Sequence, residues 1–172
     1  MTHKNTHHSG KVMSIIAWVI GIALLTNYFA DRQQQQINPN SQPASSTSLQ
    51  NATVTLEQNR LGHYLVNGLV NDIPATFMLD TGASDVVIPA ELASSYRLKE
   101  KGYNQSRTAN GIITVGQTVI QELSIGTINL YNVRASINPG MDKSQPILLG
   151  MSALRKLELK QKNDTLTIIQ TY

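Results

Sequence analysis

The residue best placed to do chemistry in this sequence is Asp80, in the run Phe77-Met78-Leu79-Asp80-Thr81-Gly82-Ala83-Ser84. The apolar stretch before it does not alternate with polar residues, so it predicts an interior strand buried on both faces. That strand ends in a carboxylate, and ionised carboxylates are seldom buried without partners. Thr81 and Gly82 then predict a tight loop, because glycine accepts backbone geometry that other residues resist. A carboxylate held at a sheltered strand end, with backbone N–H groups aimed at it, suits acid–base chemistry. An ordinary turn closing a strand is the plainer reading, and Asp-Thr-Gly alone does not exclude it. Other chemistries lack their residues. The chain has no cysteine, which removes thiol nucleophiles, CxxC zinc sites and disulfides. His63 is the only histidine after residue 8 and has no nucleophile motif near it, which argues against a Ser/His triad.

Two downstream segments add weight. Thr108-Ala109-Asn110-Gly111 lies between strand-like stretches and has no core-forming side chain, as expected of a hairpin tip that folds over a site. Ile147-Leu148-Leu149-Gly150 repeats the pattern of an apolar strand running into glycine.

Taken together, FMLDTGAS, TANG and ILLGMSAL resemble the retropepsin-like aspartic proteases, in particular the bacterial, membrane-anchored, single-lobed branch, over nearly all of 61–160. The resemblance implies that Asp80 is the catalytic acid and that Thr81 braces the two active-site loops across a dimer axis. It assigns Gly82 to substrate backbone and makes Ala83 part of the same loop. Ala109, Asn110 and Gly111 become the flap, and Leu148, Leu149 and Gly150 the support beneath the catalytic loop. Neither a metal nor a cofactor is implied. Two positions depart from the retroviral pattern: Met151 stands where those members carry Arg, and Ser84 where they carry an acid. Two-lobed digestive relatives carry Ser or Thr at the position of Ala83, so the missing hydroxyl implies a less acidic pH optimum here.

Peptide hydrolysis of this type needs two carboxylates sharing a proton, one activating water and one protonating the carbonyl oxygen. This chain has one Asp-Thr-Gly and no room for a second lobe, so a homodimer acting on protein or peptide substrate is expected. The rival expectation is a catalytically idle, membrane-tethered dimer that binds extended segments in its groove.

The elements that must position Asp80 read mostly as strands. Val54 and Leu56, then Tyr64 and Val66, alternate with polar neighbours, and Asn71-Asp72 predicts a tight hairpin turn. Short strands are also expected at 86–89, 112–115, 118–123, 128–131, 133–137 and 165–171, with about two helical turns from Met151. The last strand, TLTIIQT, reads as an edge that helps to form a dimer sheet. The fold class is therefore all-β: a small closed barrel or sandwich lobe, of retropepsin type by resemblance, with one short helix and a transmembrane helix before it.

That preceding helix comes from 12–30, a stretch of 19 uncharged residues, VMSIIAWVIGIALLTNYFA. As a helix it would span roughly 28 Å, close to the hydrocarbon core of a bilayer. Lys4 and Lys11 flank one side while Asp31 and Arg32 cancel on the other, which predicts residues 1–11 as a cytoplasmic tail. An uncleaved anchor in a bacterial inner membrane, with a periplasmic domain, is the expectation. Residues 31–51 are rich in Gln, Ser, Asn and Pro and predict a disordered tether, leaving 52–172 as the protease-like domain. Over the whole chain 14 Lys and Arg oppose 11 Asp and Glu, a net charge of +3 with no concentrated basic face, so no nucleic-acid partner is expected.

Overall fold

The computed structural model describes residues 6–108 and 111–172. Among these, the chain forms a long helix α1 (Thr6–Ile37), then β1 (Ala44–Thr47), β2 (Asn51–Glu57), β3 (Leu65–Val70), β4 (Ile73–Leu79) and β5 (Val86–Pro89). After a 3-10 turn at Ala90–Leu92 come β6 (Gly102–Thr108), β7 (Gly111–Ile125), β8 (Ile128–Asn138), β9 (Ile147–Leu149), the one-turn helix α2 (Met151–Leu154), β10 (Glu158–Lys162) and β11 (Thr165–Thr171). Two compact units result, one ending at Gln36 and the other spanning Ile37–Tyr172.

Among the described residues, one helical segment, Gly10–Ile37, is long and apolar enough to cross a membrane. Val12, Ile16, Trp18, Ile22 and Leu25 are all exposed on it.

In the second unit, seven strands in the order β3-β4-β9-β5-β8-β7-β6 form one sheet, and β3 also pairs with β7. That extra pairing, Leu69 with Ser124 and Val70 with Leu123, closes six of the strands into a barrel. The 15-residue β7 makes closure possible. Its first half carries β6, its last residues meet β3, and its other edge follows β8 from Gly116 to Ile125. The small closed all-β lobe expected from the sequence is therefore present. Asn71 and Asp72 take φ values of 49° and 67° between β3 and β4, the paired left-handed conformation of a two-residue hairpin turn. A second sheet, ordered β1-β2-β11-β10, packs on the barrel. Val54, Leu56, Leu166 and Ile168 point inward from it and join Phe77, Ile88, Ile120, Leu123 and Leu149 in one buried cluster.

Several expectations need correction. Residues 31–51 are not a featureless tether: α1 continues to Ile37 and β1 pairs with β2. Glutamines 33–36 have good helix propensity and extend the helix. Beyond it the segment is held by polar contacts, not by apolar burial. Asn40 is buried, donates from Nδ2 to the carbonyls of Leu65 at 2.6 Å and Glu57 at 2.9 Å, and accepts the Glu57 N–H at 2.7 Å. The last strand is no edge, because β11 lies between β2 and β10. The helix from Met151 makes one turn only; Glu158–Lys162 instead forms a strand paired with β11. The segments 112–115 and 118–123 are one strand, as are 128–131 and 133–137, with Asn132 at φ 52° disturbing the second without ending it.

Candidate active site

Strand β4 delivers Asp80 to the end of the barrel. It is interior to the sheet, paired with β3 on one side and β9 on the other. Only Phe77 of the Phe-Met-Leu run is fully buried, however, while Met78, Leu79 and Asp80 are half-buried. The expected burial on both faces fades because the strand emerges from the core as it reaches the carboxylate. Asp80 N–H donates to the Leu149 carbonyl at 3.2 Å, and its Oδ1 accepts the Gly82 N–H at 2.9 Å. Ala83 N–H returns to the Asp80 carbonyl at 3.3 Å, closing the turn. The backbone N–H aimed at the carboxylate is thus Gly82, two residues on.

The segment Leu148-Leu149-Gly150 lies against this loop. Leu79 and Leu149 are register partners in a parallel pair, and Leu148 also faces Val87 of β5. A Cβ on Gly150 would collide with the carbonyl of Asp85 and sit 2.7 Å from that of Ala83, so only glycine lets the two segments meet. Directly after it, the first turn of α2 turns its free N–H groups on the loop. Met151 N–H donates to Ala83 at 2.8 Å and Ser152 N–H to Ser84 at 2.9 Å. The buried Ser152 Oγ accepts the Val86 N–H at 3.0 Å and donates to the Arg134 carbonyl at 2.7 Å.

Asp80 opens on a cleft of about 600 Å³. One wall is the loop itself, Gly82 to Asp85, with Val87 and Leu148. The opposite wall is Asn104–Arg107 of β6 with Val115 and Gln117 of β7, and Ser136 and Asn138 of β8 line it as well. The hairpin expected to cover the site therefore faces it along its arms. Of its tip residues, Ala109 and Asn110 lie outside the described residues, and Gly111, at φ 117°, opens β7 opposite Thr108. A second hollow of about 410 Å³ borders the loop, lined by Thr81–Ser84, Arg134, Met151 and Arg155.

Sequence reasoning singled out Asp80, Thr81, Gly82, Ala83, Leu148, Leu149 and Gly150, and the fold brings all seven into one small region. It missed Asp85, Arg134 and Ser152. Arg134 Nε donates to Asp85 Oδ1 at 2.7 Å, an ion pair at the loop joining residues 49 apart in sequence. Nothing local to either residue announces it. Ser152 had a weaker signal, a hydroxyl two residues past a strand-ending glycine.

Comparisons with known proteins agree with this architecture. A family model described as "gag-polyprotein putative aspartyl protease" matches residues 66–156, more than half of the chain. An uncharacterized protein in the cobV 5′ region of Sinorhizobium sp. is 28% identical over 171 residues, covering 92% of this chain and 73% of that protein. The uncharacterized protein RP867 of Rickettsia prowazekii (strain Madrid E) is 29% identical over 119 residues, 67% of this chain and 50% of its own length. The crystal structure of a retropepsin-like aspartic protease from Rickettsia conorii superposes with a TM-score of 0.58 at 24% identity, covering 76% of this chain and 95% of that one. By its matching family model and its fold, this chain belongs to the retropepsin-like aspartic proteases.

Proposed function

We propose that this protein is a membrane-anchored aspartic endopeptidase that works as a homodimer. The observation that carries the reading is a single Asp80 per chain, bonded by the Gly82 N–H and opening on a cleft. Two such carboxylates, one from each copy about a two-fold axis, make the dyad this chemistry requires. With one proton shared between them, one Asp80 takes a proton from the attacking water while the other protonates the carbonyl oxygen of the scissile bond. Thr81 lies at the dimer axis, and Gly82 contacts the substrate backbone. The β6–β7 hairpin, with Ala109, Asn110 and Gly111 at its tip, acts as the flap. Leu148, Leu149 and Gly150 hold the loop from beneath. Residues 12–30 anchor the chain with its N-terminal tail cytoplasmic and the domain periplasmic, and confinement to a membrane raises the local concentration that favours pairing.

The test is to incubate the purified full chain with a peptide library, with and without a pepstatin-type inhibitor, and to read the products by mass spectrometry. Inhibitor-sensitive internal cleavage is expected. Retention of extended peptides without cleavage would replace this reading with a catalytically idle binding dimer.

A further inference from the structure

We infer that Arg134 and Asp85 are a positioning pair for the Asp80 loop; the inference rests on the proteolytic reading above. Between Leu79 and Val86 no residue belongs to a strand, so beyond the turn that Gly82 and Ala83 close on Asp80 the loop is held by contacts made from outside it. Two come from α2, the N–H groups of Met151 and Ser152 on the carbonyls of Ala83 and Ser84, and one from β9, the Leu149 carbonyl on the Asp80 N–H. Arg134 adds contacts at the far end of the loop. Its Nε donates to Asp85 Oδ1 at 2.7 Å, and its carbonyl accepts Ser152 Oγ, which in turn accepts the Val86 N–H. One residue of β8 therefore grips both Asp85 and, through Ser152, the residue after it. Arg134 itself is fixed by the β7–β8 ladder, opposite Val119.

The placement of the charges supports a kinetic role over a stabilising one. Asp85 lines the cleft and Arg134 lines the second hollow, and Gly82–Ser84 border both, so the ion pair links two openings that the loop borders. Met151 and Ser84 are uncharged, and Asp85–Arg134 is the ion pair on this loop among the described residues. The Arg134 side chain is 58% exposed against 25% for Asp85, and a pair so open to solvent adds little to folding stability. Its geometric effect is larger, because a displacement of about 1 Å at a reacting group can cost roughly 100-fold in rate.

The experiment uses the full chain in detergent micelles, comparing wild type with Arg134→Ala, Arg134→Lys and the exchanged Asp85→Arg/Arg134→Asp. Arg134→Ala should lower kcat by roughly 10- to 100-fold with KM within about twofold and little change in Tm. Arg134→Lys should recover part of the loss, since lysine supplies the charge without the directed Nε donor. The exchanged pair should be more active than Arg134→Ala. An unchanged kcat in Arg134→Ala would overturn the inference, as would a loss matched by an equal fall in dimer content. Should wild type itself cleave nothing, the proteolytic reading fails separately. Amide exchange over 80–86 then decides the pair: faster exchange in Arg134→Ala supports it, and unchanged exchange overturns it.

Discussion

Asn40 offers the sharpest test of how the segment after α1 is built into the domain. Its side chain makes three hydrogen bonds, accepting from the Glu57 N–H at 2.7 Å and donating to the carbonyls of Glu57 and Leu65 at 2.9 and 2.6 Å. Only 3% of the residue is exposed, so Asn40→Ala leaves backbone groups of two strands without their partner and little room for water to replace it. At about 1 kcal/mol for each bond lost, plus part of the desolvation cost of the orphaned groups, the loss should be about 3 to 5 kcal/mol. For a domain of this size that lowers Tm by about 10 °C or more. Asn40→Asp should cost at least as much, because it keeps the acceptor for Glu57 N–H but turns a charge toward two carbonyl oxygens. The assay is urea unfolding of the 37–172 fragment followed by circular dichroism, with an unchanged m-value and a lowered midpoint. A fragment beginning at residue 52 should be destabilised in the same direction, lacking both Asn40 and β1. A shift below about 0.5 kcal/mol for Asn40→Ala would refute the reasoning, placing this segment outside the cooperative unit.

Three further outcomes follow from the site. Gly150→Ala should abolish activity and lower Tm, since its Cβ meets the Asp85 and Ala83 carbonyls, neither of which is a flexible side chain. Ser152→Ala removes the partner of the buried Val86 N–H and should cost about 1 to 3 kcal/mol by chemical denaturation. The pH–rate profile of the wild-type chain should peak above about pH 3, because Ala83 offers no hydroxyl to favour the charged carboxylate, and replacing Ala83 with Ser should move the optimum toward acid.

Local rules made much of this legible. Alternation in Val54-Thr55-Leu56 and in Leu166-Thr167-Ile168 marks which side chains reach the core, and Asn71-Asp72 names its own turn. Asp80 and Gly150 stand out because their types are costly anywhere but at a loop that needs them. Pairings between distant segments were not legible. Barrel closure depends on Leu69 and Val70 meeting Ser124 and Leu123, and no periodicity reports a neighbour 53 or more residues away. The polar run after Ile37 has the composition of a disordered linker, yet it is ordered by β1 pairing with β2 and by one amide satisfying three strand groups, contributions that hydrophobicity does not register. Arg134 and Asp85 are each unremarkable surface residues until β5 and β8 run side by side, with Val86 opposite Ala135.

The central claim is that two chains complete one active site, each giving a single Asp80. Co-expressing wild-type chains with Asp80→Asn chains under separate tags, then purifying the mixed dimers, tests it directly. Mixed dimers should be inactive, so that an equal, randomly paired mixture retains about one quarter of the activity of the same amount of wild-type dimer. Mixed dimers with half or more of wild-type activity would contradict it, because each chain would then carry a complete site.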